Sequence, residues 1–103
     1  MLVLERAKRK AARSRCRYKI AAIGFDKRGK LLGVAINYPR FVKFGGSVHA
    51  EMNLLHRYGK RLKSLLILRT NRSLDLLPIS VCKRCQKILD RMEIEYASIR
   101  CPK

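Results

Sequence analysis

His49 stands two positions before Glu51, in Ser47-Val48-His49-Ala50-Glu51-Met52-Asn53-Leu54-Leu55, and a Cys-x-x-Cys pair follows in Ser80-Val81-Cys82-Lys83-Arg84-Cys85. An imidazole and two thiolates are good zinc ligands, and three protein ligands leave a fourth tetrahedral position for water, as at a catalytic rather than a closed structural site. Glu51 is surplus to that ligand set. A carboxylate beside a metal-activated water can take its proton and deliver it to a leaving group, so the four residues together are the parts of a metal hydrolase.

The spacing requires that each half open a helix. Cys82 and Cys85, three apart, project from one face and can reach the same ion. In a first turn their thiolates meet the positive end of the helix dipole, and Lys83 and Arg84 favour the ionised form further. The apolar positions Ile88, Leu89 and Met92 share the side of the two cysteines, so the ligand face runs on into the buried face. The His49 helix is expected to reach Arg57 or Tyr58, with Val48, Met52 and Leu55 on its core face and Gly59 as its stop. His56 lies off the ligand-bearing turn and reads as a surface histidine.

His49-Ala50-Glu51 followed by Cys82-Lys83-Arg84-Cys85 resembles the zinc-dependent cytidine and deoxycytidylate deaminase superfamily, whose signature is H-x-E followed by P-C-x-x-C. Val81 stands where the family usually has Pro, and the nearest proline is Pro78. The resemblance implies a three-layer α/β/α fold, Zn2+ held by His49, Cys82 and Cys85, and Glu51 as the catalytic proton shuttle. It also implies that Asn37, at the end of the second strand, contacts the nucleoside, where an Asn two residues before Pro39 is equally ordinary loop chemistry, and that backbone at Ala50, Ser80 and Val81 holds the edges of the base. Many relatives carry a further strand and helix, so this is a minimal version in which self-association as a homo-oligomer is expected to replace missing elements.

At 103 residues, 48% hydrophobic, the chain reads as one domain spanning 1–103. No apolar run approaches the length of a membrane span, and Met1-Leu2-Val3-Leu4 is too short for a signal peptide, which makes a cytoplasmic protein the expectation. In a reducing compartment Cys16 and Cys101 read as free thiols in preference to a disulfide. Residues 2–13 form an opening helix, with Leu4, Ala7, Ala11 and Ala12 on one side. Tyr18 to Asp26 and Leu31 to Asn37 make an antiparallel hairpin around Lys27-Arg28-Gly29-Lys30. Ser64 to Thr70, apolar through Leu65-Leu66-Ile67-Leu68, is a central strand, residues 71–80 are a loop, and Glu95 to Cys101 is a last strand. A helix joins those last two strands, which favours parallel pairing and a mixed sheet of about four strands.

Charge is the other outlier. Twenty-five Lys and Arg against 7 Asp and Glu give a formal +18, and a balance so lopsided points to a polyanionic partner, nucleic acid ahead of a membrane surface. Arg9, Lys10 and Arg13 on the opening helix are candidate phosphate contacts. Tyr38, Phe41 and Phe44 alternate with Arg40 and Lys43 before Gly45-Gly46, which suits bases stacking on Phe41 and Phe44 beside a phosphate held by Arg40. Packing of those aromatics into the core explains the same pattern.

These features together lead to a zinc-dependent hydrolytic deaminase converting cytosine to uracil in a (deoxy)cytidine nucleotide or in single-stranded nucleic acid. Deamination of adenosine in RNA uses the same metal set. A non-catalytic, basic nucleic-acid-binding module with structural zinc is the reading from another class, and Glu51 argues against it, because a structural site gains nothing from a proton shuttle.

Overall fold

The computed structural model describes residues 3–39 and 47–100, so that Arg40, Phe41, Phe44 and Cys101 lie outside the described residues. The chain runs α1 (Val3–Ala12), β1 (Lys19–Phe25), β2 (Leu31–Ile36), β3 (Tyr38–Pro39), β4 (Ser47–Val48), α2 (Ala50–Tyr58), a 3-10 turn over Gly59–Arg61, β5 (Ser64–Thr70), β6 (Leu76–Leu77), α3 (Lys83–Arg91) and β7 (Glu95–Ser98).

β5 is the spine. β1 pairs antiparallel with it over its full length, from Lys19 opposite Thr70 to Phe25 opposite Ser64. β2 adds to the far edge of β1. The other edge of β5 is shared: β7 lies parallel to Ser64 through Ile67, and β6 lies antiparallel to Arg69 and Thr70. The parallel pairing expected from the helical crossover is therefore present, and the whole sheet is mixed, with five strands. β3 and β4 form a separate two-stranded antiparallel ribbon, with Tyr38 opposite Val48.

The period-2 alternation of β1 divides the core into two layers. Ala21 and Ile23 face α1 with Val34 and Leu68, against Ala7 and Ala11 of the helix. Both helix alanines are completely buried, and with no side chain beyond Cβ they let α1 lie close to the strands. On the opposite face Ala22, Ala35, Leu65 and Ile67 pack against Leu54 of α2 and Cys85 and Leu89 of α3. Each fully buried leucine there contributes about 1.5–3 kcal/mol. Gly24, on this second face, is needed for close approach, since a Cβ would come within 2.8 Å of both Leu54 Cδ2 and Leu62 Cδ1.

Local chemistry ends the elements where the layers need them to end. The hairpin turns at Gly29, whose φ of 78° suits glycine, and Asp26 Oδ1 accepts the N–H groups of Arg28 and Lys30, each at 2.9 Å. α3 closes with a Schellman arrangement: Ile94 N–H reaches Leu89 O and Glu93 N–H reaches Asp90 O, at 2.9 and 3.1 Å. Glu93 takes the left-handed position usually given to glycine, at φ 57°. The buried Ile94 drops onto Leu89 and aims the chain into β7.

Several sequence expectations shift. The last strand is shorter than Glu95 to Cys101, and residues 71–80 contain β6. Leu54, not Met52 or Leu55, is the α2 residue at the centre of the core, the other two being half-buried. Met92 is 41% exposed, because the helix has ended and Met92 is its C-cap. Among the described residues no helix is long and apolar enough to cross a membrane.

Candidate active site

Two helix N-termini bring the chemistry together. His49 is the N-cap residue of α2, in extended conformation (φ −70°, ψ 148°), and its side chain makes no capping hydrogen bond. Cys82 is the N-cap of α3, with nearly the same backbone (φ −65°, ψ 150°), and its sulfur accepts the N–H of Cys85 at 3.3 Å. His49 Nδ1 lies 3.2 Å from Cys85 Sγ and 3.3 Å from Cys82 Sγ. The three donor atoms all sit within 4.8 Å of one another, the one such metal-competent cluster among the described residues. His56 is exposed and takes no part.

The donor set fits zinc. Tetrahedral bonds of about 2.0–2.1 Å to nitrogen and 2.3 Å to sulfur place N and S roughly 3.5 Å apart, so both nitrogen–sulfur separations are within a few tenths of an ångström of those around one ion. Its electrostatics run against the favoured thiolate expected from the helix dipole, Lys83 and Arg84, because burial and a carboxylate outweigh them at Cys85. Burial, the adjacent Cys82 side chain and the Glu51 carboxylate push the Cys85 thiol well up from the ordinary cysteine range. Buried thiols beside a carboxylate become thiolates only where a cation supplies the missing positive charge.

Glu51 follows His49 by two positions in the first turn of α2, is 4% exposed, and lines the same pocket as His49 and Cys82. The pocket encloses about 860 Å³, and its wall comes from the segment before β1, from β5, and from the approach to α3. The carboxylate therefore borders both the cavity and the Cys85 thiol.

The remaining expected contacts fall out unevenly. Ser80 lines the pocket. Val81 is buried in the core, and its carbonyl accepts Gln86 Nε2 at 2.7 Å. Ala50 is fully buried, and as a first-turn residue of α2 its N–H has no intrahelical acceptor. Asn37 also lines the pocket but is mostly committed to the protein. Its Oδ1 accepts Ser14 Oγ at 2.8 Å and Ile20 N–H at 3.1 Å, and its Nδ2 donates to Tyr18 O at 2.6 Å. One Nδ2 hydrogen is left for a ligand. Sequence reasoning missed this hub because Ser14 is 23 positions away. It also passed over Arg69, which lies two residues after Ile67 on β5; the only signal was a cation closing an apolar strand.

Away from the pocket, α1 carries a basic surface. Arg9 and Arg13 are exposed and Lys10 half-buried. Partial burial, then Arg6, Arg57 and Arg13, hold the Lys10 amine below the usual lysine range. Among the described residues the only ion pair is Lys8 with Glu5, at 3.4 Å. The Cys16 thiol is free and half-buried at the pocket wall.

Solved structures of cytidine deaminases share this fold. The cytidine deaminase of Mycobacterium leprae superposes with a TM-score of 0.61 at 20% identity, over 92% of this chain and 83% of that one. For the enzyme of Burkholderia pseudomallei the values are 0.64 and 14%, over 94% and 83%. For that of Mycobacterium tuberculosis they are 0.62 and 19%, over 97% and 85%. Likeness at such identities establishes the fold. No family model and no curated protein matches the sequence.

Proposed function

We propose that this chain is a zinc-dependent hydrolytic deaminase acting on cytosine, carried as a nucleotide or within a single strand. The observation that supports it most is the meeting of His49, Cys82 and Cys85 at two helix N-termini, with buried Glu51 in the wall of the adjoining pocket. His49 Nδ1 and the two sulfurs would hold the metal. Bound there, zinc supplies the Lewis acidity that makes water a nucleophile at neutral pH.

Glu51 moves the protons. Its carboxylate takes one proton from the attacking water and gives it to N3 of the base as the C4–O bond forms, then takes the second from the new C4 hydroxyl and gives it to the amine, so that the C4–N bond breaks and ammonia leaves. Burial keeps bulk water from competing for those protons. Backbone at Ala50, Ser80 and Val81, with the remaining Asn37 hydrogen, orients the base. Arg9, Lys10 and Arg13 favour a strand-borne substrate as the second reading, since a single nucleotide in the pocket does not reach a whole basic helix.

The test is a panel of cytidine, deoxycytidine, their monophosphates, and single-stranded DNA and RNA containing cytosine or adenine, assayed for ammonia release. Glu51→Gln keeps fold and metal and lowers turnover of the best substrate by on the order of 10²-fold or more. Turnover by Glu51→Gln equal to wild type would make Glu51 structural and the mechanism wrong.

A further inference from the structure

The pocket wall carries chemistry that deamination of a base does not use. Arg15 and Arg17, from the segment between α1 and β1, and Arg69, from β5, all line it, and Glu51 is the only acidic residue among its lining. Arg69 is the most constrained of the three. Its guanidinium stacks on the Tyr18 ring, with Cζ 4.0 Å from the centroid. Its Nε is the only buried side-chain nitrogen or oxygen among the described residues with no hydrogen-bond partner. A buried donor without an acceptor is a standing cost to the fold, borne here in holding the guanidinium against Tyr18 at the pocket wall. Stacking fixes the guanidinium plane and leaves its edge free, the geometry that grips phosphate oxygens in pairs.

Neighbouring groups fit the same ligand. Ile20 lies opposite Arg69 in the strand register, and Ile67 precedes it by two residues on the same face. Both line the pocket, so an apolar floor adjoins the guanidinium. The segment carrying Arg15, Arg17 and Tyr18 is held in advance by Asn37 Nδ2 on Tyr18 O and by Ser14 Oγ, which accepts Cys16 N–H at 3.2 Å. At about 860 Å³ the cavity is toward the upper end of ligand pockets, ~300–1,000 Å³, and has room for more than a base.

We infer that this pocket takes a phosphorylated pyrimidine, with Arg69, backed by Arg15 and Arg17, holding the phosphate on the sugar whose base faces Glu51. The identity of the base rests on the deaminase reading; the phosphate subsite does not. The phosphate is either the terminal group of a free nucleotide or a phosphodiester of a single strand.

Titration calorimetry at constant ionic strength, with UMP, uridine and a short single-stranded oligonucleotide holding one pyrimidine, tests the subsite without turnover. UMP should bind the full chain at least tenfold more tightly than uridine. Arg69→Gln should shrink that ratio at least fivefold and Arg17→Gln by less, while Lys27→Gln at the distant hairpin turn leaves it, which separates a site from general positive charge. If Arg69→Gln does not fold, the wild-type ratio and exposed Arg17 still decide. In parallel, kcat/KM for CMP should exceed that for cytidine, and Arg69→Gln should lower their ratio. Preference for UMP that depends on Arg69, with neither cytidine nor CMP deaminated, supports the subsite and overturns the deaminase reading. Equal binding of UMP and uridine, with both cytidine and CMP deaminated, overturns the subsite alone. An oligonucleotide that displaces UMP through Arg69 assigns the phosphodiester; displacement failing assigns the free nucleotide.

Discussion

Replacing Asn37 by Ala separates a residue that builds the pocket from one that only touches substrate. Asn37 is 4% exposed. The substitution removes the acceptor for Ile20 N–H and the donor to Tyr18 O, bonds of 3.1 and 2.6 Å. The Ser14 hydroxyl keeps an acceptor, the Asn37 backbone carbonyl at 2.9 Å. Two backbone groups are thus orphaned, at about 1–3 kcal/mol each when water cannot reach them. The pocket admits water from one side, so the lower part of that range applies and the sum is about 2–4 kcal/mol. For a domain of this size each kcal/mol lowers Tm by roughly 4–8 °C, so a fall of roughly 8–32 °C is expected. Urea unfolding should show a lower midpoint at unchanged m, since the surface exposed on unfolding is the same. A Tm within about 4 °C of wild type, with only KM raised, would refute the hub and return Asn37 to the role of a simple substrate contact.

The other expectations concern metal, polyanion and pH. Wild type should bind one zinc per chain, and Cys85→Ser, at a position 2% exposed, should lose metal and stability together; a full zinc equivalent in that variant would defeat the ligand assignment. Single-stranded nucleic acid should bind with log affinity falling against log salt by about 0.7 per phosphate contact. Neutralising Arg9, Lys10 and Arg13 together should reduce that slope, whereas a flat salt response would leave the charge of α1 merely solvated. The raised Cys85 thiol gives a pH signature to metal-free protein. Above about pH 8.5 the unfolded thiol ionises while the folded one stays protonated. The folded state then binds more protons, so stability falls as pH rises through this window. Chelated protein whose urea midpoint is constant from pH 8 to 10 would contradict it.

The parts of this molecule that were legible in the sequence are those set by local pattern. Leu65-Leu66-Ile67-Leu68 announced a strand covered on both faces, Gly29 a turn, and Cys82 with Cys85 a helix start, because periodicity, glycine and spacing act within a few residues. What the sequence hid depends on distant partners. Leu54 looks no more central than Leu55 until Gly24 opens space for it across the sheet. Arg15, Arg17 and Arg69 look like surplus charge until β5 and the segment before β1 bring them to one wall. β6 is too short to show a period, and exists because Arg69 and Thr70 leave an edge for Leu76 and Leu77 to pair with.

His49 is separated from Cys82 by 33 positions and from Cys85 by 36, and β5, the strand on which the sheet is assembled, lies within that span. Fastening the two ends together makes a closed ring of chain through the middle of the protein. By the chain-entropy relation for cross-links, a ring of that length restricts the unfolded ensemble by about 4 kcal/mol, a large fraction of what a small domain has in reserve. The three side chains that could hold a metal are placed to act as a staple. With a metal bound, exchanging any one of the three would also loosen the ring that keeps β5 between its two layers.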